Sequence, residues 1–198
     1  PSAHYNLASV LAGKKEWSRA LLHYQAYKLM GSDPATTKDA EKGVAKVKAN
    51  VWNKKFATLS VDVEPEAKST ISINGFVVAQ NKDIDEITLI AGDYNVRANV
   101  VDHHPVEKSV TLEIEGAKSV TLEPKKKTFF GKAKVTVSLD GATVKFIPKE
   151  LKSPEGPDEP VVQESPVEEP VELVTGKWLL EVTKADHHKW VRYIHVRR

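Results

Sequence analysis

Cysteine is absent from this chain of 198 residues. That excludes disulfides, thiolate metal sites and cysteine nucleophiles, and it leaves the redox compartment open. No apolar run approaches the roughly 18 residues needed to span a bilayer. Charge of one sign is also missing. The formal net charge is +2, so neither nucleic acid nor an anionic membrane surface is implied as a partner. The motifs of common hydrolases and nucleotide binders are missing too: there is no Gly-x-Ser-x-Gly, no His-Glu-x-x-His and no phosphate-cradling glycine loop. The expectation is a protein that is not an enzyme, with no catalytic residues and no cofactor. The chain begins PSAHYNLA, without an initiator Met or a signal sequence. It reads as a piece of a longer protein.

The sequence does contain a long internal repeat. Residues 87–112, ITLIAGDYNVRANVVDHHPVEKSVTL, lie over residues 171–196, VELVTGKWLLEVTKADHHKWVRYIHV, without a gap. Gly92 falls on Gly176, Tyr94 on Trp178, Val96 on Leu180, and Asp102-His103-His104 on Asp186-His187-His188. One β-rich unit therefore occurs twice.

The first third has helical spacing. Leu7, Ala8, Leu11, Ala20, Leu21 and Tyr24 recur at the period of one helix face. Gly13 interrupts them, which predicts helices near 3–12 and 15–30, with Pro34 closing the second. A third helix is expected over 37–55, with Thr36 or Thr37 as its N-cap and Ala40, Val44, Val47 and Val51 as its apolar stripe. From Ala57 the period becomes two. Leu59, Val61 and Val63 alternate with polar residues, and further short strands follow to Val120 and Leu122, with a turn at Asn74-Gly75. Lys125, Lys126 and Lys127 open a connector. Alternation resumes at Ala133 and breaks over 149–170. That stretch holds five prolines and seven acidic residues, and proline removes ladder donors, so a long semi-extended loop is expected there.

Residues 1–34 resemble a tetratricopeptide repeat. The period fits, and Leu7, Ala8, Leu11, Ala20, Tyr24 and Pro34 stand at that family's packing positions. Tyr27 replaces the usual small residue, and His4 stands where Trp is common. Residues 35–56 would then be the capping helix, and the rest of the array is expected upstream. The β units resemble PEGA domains, small bacterial β-sandwich modules. The first carries Pro65-Glu66-Ala67 at the signature turn, Asn74-Gly75, and AGDYNV. The second carries Gly141-Ala142 and TGKWLLEV, and it stops before the first unit's last strand. The resemblance implies a helical hairpin (1–34), a cap (35–56), a first sandwich (57–124), a linker (125–132) and a second sandwich (133–198) with the insertion at 149–170. The expected fold class is therefore α+β and multidomain, with two small antiparallel β-sandwiches.

Candidate sites can be weighed one by one. Trp190 and Tyr193 suggest an aromatic platform for a sugar; a coplanar exposed pair would support it, and packing into a core is the plainer use of such rings. His187 and His188, with Asp186, repeat the Asp102-His103-His104 turn and suggest zinc or nickel. Neighbouring strand residues face opposite ways, however, so one ion cannot readily take both imidazoles. A site would need His187, His188 and His195 to converge. The plainer reading is a repeated turn with no metal. The acidic loop suggests a recognition segment or a solvated insertion.

The resulting expectation is a bacterial scaffold or interaction protein, with other proteins and envelope components as partners and no membrane insertion in this fragment. Family analogy places it in the cell envelope or periplasm. The alternatives are a module for envelope polysaccharide or peptidoglycan, and a metal-binding protein using the Asp-His-His turns.

Overall fold

The computed structural model describes residues 2–31, 33–51, 55–65, 68–153 and 156–198. Three N-terminal helices are followed by β-sheets. The chain divides into two compact units, Pro1–Lys125 and Lys126–Arg198.

In the first unit, α1 (Ser2–Gly13), α2 (Trp17–Met30) and α3 (Pro34–Asn50) form a helical layer. Ala8, Leu11, Ala20, Leu21, Tyr24 and Val47 share its core. Leu7, expected to pack, is instead exposed. Pro34 opens α3 rather than closing α2. It occupies the first helical turn, where its missing N–H costs nothing, and the Asp33 carboxylate accepts the Thr36 N–H at 2.9 Å. Asp33, not Thr36 or Thr37, is therefore the N-cap. The helix ends at Asn50 rather than at 55, and residues 52–54 lie outside the described residues.

Among the described residues, the β part of this unit has seven strands: β1 (Phe56–Val63), β2 (Ser69–Ile73), β3 (Phe76–Gln80), β4 (Ile84–Ile90), β5 (Gly92–Val100), β6 (Val106–Leu112) and β7 (Ala117–Leu122). They make two sheets, β4-β1-β7 and β3-β2-β5-β6. Alternation drives this arrangement. Ala57, Leu59, Val61 and Val63 are buried while their neighbours in β1 are not, so one face of each sheet supplies the core between them. Leu22 and Ala26 of α2 join that core, and the Gln25 side chain donates to the Thr88 carbonyl at 3.2 Å. One pairing departs from the antiparallel expectation: β7 runs parallel to β1, with Val61 opposite Val120 and Val63 opposite Leu122. The chain reaches β7 by crossing from the other sheet after β6. Of the proposed signature turn, Glu66 and Ala67 lie outside the described residues.

The second unit contains β8 (Phe130–Ala133), β9 (Thr143–Leu151), β10 (Val161–Glu164), β11 (Val171–Val174), β12 (Gly176–Thr183) and β13 (Trp190–Val196). Its sheets are β10-β9-β12-β13 and β11-β8. Two expectations are corrected here. The first strand starts inside the stretch read as a connector, because Phe130 pairs with Val174. The acidic segment is not loop throughout, because Val161–Glu164 pairs with β9. Pro160 and Pro166 flank that strand instead of interrupting it, and β10 lies at a sheet edge, where missing donors are tolerated.

The repeat is reproduced in detail. Tyr94 donates its hydroxyl to the Ile90 carbonyl at 2.6 Å, and Trp178 donates its indole N–H to the Val174 carbonyl at 2.8 Å. Both rings are core residues, and both polar tips are satisfied four residues upstream, as burial requires. Burial raises the Tyr94 hydroxyl pKa above its ordinary value, against the lowering effect of hydrogen bonds with Ser18 and Ile90.

Candidate functional site

The second unit carries an apolar groove of about 350 Å³. Its apolar wall is formed by Val135, Val137, Leu139, Leu180, Val182 and Trp190, and Lys184, His187 and His188 stand at its polar end. Its origin follows from the repeat. Ala133 pairs with Val171 as Leu59 pairs with Ile87. Counting on by the two-residue strand period, Val135 and Val137 correspond to Val61 and Val63. Val61 and Val63 are 0% and 3% exposed, whereas Val135 and Val137 are only half-buried. The difference is β7, which covers Val61 and Val63 and contributes buried Val120 and Leu122. Among the described residues of the second unit, no strand corresponds to β7. β8 ends at Ala133, paired with β11, and the chain that follows it, from Val135 to Leu139, lines the groove outside any strand.

Trp190 and Tyr193 are 48% and 57% exposed, but they do not form a pair. Trp190 opposes Val182 and Ile194 opposes Trp178, so the even-numbered residues of β13 face the core and the groove. Tyr193 faces the other way, where the Lys177 ammonium lies 4.8 Å from its ring centroid. A coplanar aromatic platform is thereby corrected: three residues along a strand reverse the face.

The histidine turns have a local explanation. Asp102 and Asp186 adopt left-handed backbone conformations, φ 61° and 62°. The next residue closes each turn. His103 Nδ1–H donates to the Val101 carbonyl at 2.8 Å, and His187 Nδ1–H donates to the Ala185 carbonyl at 2.9 Å. A carbonyl can only accept, so these bonds set the tautomer. His187 and His188 are exposed at the groove. His195 is on the outward face of β13 with Tyr193. Among the described residues, no three or more His, Asp or Glu side chains form a group that could share a metal ion.

Sequence reasoning did not single out Val135, Val137 and Leu139 as a site, nor Lys132, Lys134 and Arg192 around it. Their alternation marked a strand.

No family model and no curated protein matches the chain. Among solved structures, it resembles the Bacillus anthracis TIE protein, with 12% identity and a TM-score of 0.41, over 72% of this chain and 31% of that one. The chain thus spans about a third of that protein's length. It also resembles a DUF3823 family protein from Bacteroides ovatus, with 12% identity and a TM-score of 0.27, over 72% of this chain and 97% of that one. A DUF3823 family protein from Parabacteroides merdae matches with 11% identity and a TM-score of 0.22, over 72% and 96%. Likeness at this level carries no argument about function. Among the described residues, no helix is long and apolar enough to cross a membrane.

Proposed function

We propose that this chain is a non-catalytic interaction protein of a bacterial cell envelope, with tetratricopeptide-type helices and PEGA-type β modules used as rigid binding blocks. The observation that supports this reading is the exposed apolar groove lined by Val135, Val137, Leu139, Leu180, Val182 and Trp190. The groove offers apolar contacts from Val135, Val137 and Leu139 on one side and from Leu180 and Val182 on the other. Such a groove suits apolar side chains of a partner polypeptide. No chemistry is required of the bound segment. Of the groups with a resolved shift, the nearest in sequence is Glu181, whose pKa is lowered by hydrogen bonding to the Lys189 ammonium.

The test compares the intact chain with a Val137→Asp variant as bait for cross-linking to purified envelope proteins. A saturable partner of the wild type that is lost in the variant supports the reading. Co-sedimentation with purified sacculi, alongside Trp190→Ala, tests the rival. Pelleting lost in that variant, with no protein partner at the groove, would replace protein docking by glycan binding.

A further inference from the structure

We infer that the outer face of the sheet β10-β9-β12-β13, on the side away from the groove, docks against the same face of a second copy of this chain. Residues of β12 alternate: Trp178 and Leu180 enter the core, while Lys177, Leu179 and Glu181 face outward. Leu179 opposes Ile147 of β9 on one side and Tyr193 of β13 on the other. These three side chains form a row across the sheet. Val191, opposite Glu181, and Val162, opposite Lys145, lie beside it. Tyr193, Val191 and Val162 are 57%, 48% and 53% exposed.

The first unit shows what the same strands carry on a face that meets water. In the repeat, Leu179 corresponds to Asn95, Tyr193 to Ser109 and Val191 to Glu107, all three of them exposed. Ile147 follows Phe146, which opposes Leu180, as Asn74 follows Ile73, which opposes Val96. The first unit's row is hydrogen-bonded. The Asn95 N–H donates to Asn74 Oδ1 at 2.8 Å, and the Ser109 hydroxyl donates to Asn95 Oδ1 at 2.9 Å. The same strand pairing therefore accepts a polar row, and the fold does not demand Ile147, Leu179 and Tyr193. Single exposed apolar residues are ordinary, whereas a contiguous row marks a surface that another covers.

The charges around the row identify the occupant. One end of the face carries Lys177 and Glu150, joined at 3.3 Å, and the other carries Lys145 opposite Glu181. A two-fold axis laid along the row keeps Ile147, Leu179 and Tyr193 over their own counterparts and reverses the strands. Lys177 then stands over Glu181 of the second copy, and Glu150 stands over Lys145. Each of these four ions meets its opposite, so the face is complementary to itself. Four strands about 4.8 Å apart and about 25 Å long give roughly 500 Å² per copy. That lies at the small end of specific interfaces, so the dimer is weak and exchanges with monomer.

Sedimentation equilibrium of the intact chain, from about 5 to 500 µM, covers the affinities that such an area supports. A monomer–dimer equilibrium is expected. Leu179→Asn combined with Tyr193→Ser installs the first unit's residues and should weaken the dimer about tenfold or more. Val137→Asp, in the groove on the other side of the sheet, should leave it unchanged. Glu150→Lys and Lys145→Glu should each weaken self-association, because each brings like charges together across the axis. Mixed in equal amounts, these two variants should form a heterodimer tighter than either homodimer. Melting followed by circular dichroism checks that each variant is folded. A chain that stays monomeric throughout overturns the proposal and leaves the row as packing within one sheet. A dimer lost in Val137→Asp but kept in the Leu179, Tyr193 variant moves the interface to the groove and also overturns it. A mixture of the charge variants that associates no better than each alone overturns the two-fold register.

Discussion

His23 should make the first unit sensitive to mild acid. It sits on α2 at 1% exposure, with its ring edge-on to Phe76 at 4.6 Å between centroids. Its Nδ1 is 2.8 Å from His4 Nδ1, so the two imidazoles share one proton while both are neutral. Its Nε2 has no partner among the described residues. Burial lowers its pKa to about 4 from an ordinary 6.5, and the nearby His4 and Arg19 push in the same direction. Above pH 6.5 neither the folded nor the unfolded imidazole holds the extra proton, and stability is at its full value. Between 6.5 and about 4 the unfolded chain takes up a proton that the folded chain refuses, so stability falls as pH falls. At about 1.4 kcal/mol per pH unit, the loss accumulates to roughly 3 kcal/mol by pH 4. His4, whose pKa burial also lowers, adds to the loss with the same sign. The assay is amide exchange of Val96, a fully buried core residue of the first unit, measured over a urea series at pH 7 and pH 4.5. Its exchange reports opening of that unit. In His23→Leu most of the pH slope should vanish. If the variant keeps the wild-type slope, His23 is not the group responsible and the burial argument fails.

The remaining expectations concern packing. In Gly43→Ala the new Cβ would stand 2.3 Å from the Tyr24 ring, so the helical layer should lose about 1–3 kcal/mol by urea denaturation; an unchanged midpoint would refute the close approach of α2 and α3. Phe146→Ala empties a fully buried position in the second unit and should cost about 3–5 kcal/mol in that unit's unfolding transition. Gly92 and Gly176 share φ near 148°, but only at Gly176 would a Cβ meet a wall, the Glu150 carbonyl at 2.5 Å. Gly92→Ala should therefore cost about 1–3 kcal/mol from backbone strain alone. Gly176→Ala should cost more, and equal urea midpoint shifts for the two units would count against that wall.

The residues of this chain reveal local structure well, because local structure is written in periods. Alternation along 59–63 and 94–100 marks strands whose buried faces follow directly, and Asn74-Gly75 marks the turn between β2 and β3. The unbroken repeat places Trp178 in a core because Tyr94 is in one, and the helical stripe of Ala40, Val44, Val47 and Val51 is read with equal ease. Each of these depends on a residue and its near neighbours. What only the tertiary structure decided is pairing at a distance. The parallel placement of β7 beside β1 brings together segments separated by more than fifty residues, and no local pattern encodes which strand crosses to which sheet. The groove lies along Val135 and Val137, which have the apolar character of a core but are half-buried, and among the described residues of the second unit no strand takes the place of β7. Trp190 and Tyr193 were conspicuous as a pair in the sequence. The register of β13 separates them, because strand geometry sends residues an odd number apart to opposite faces.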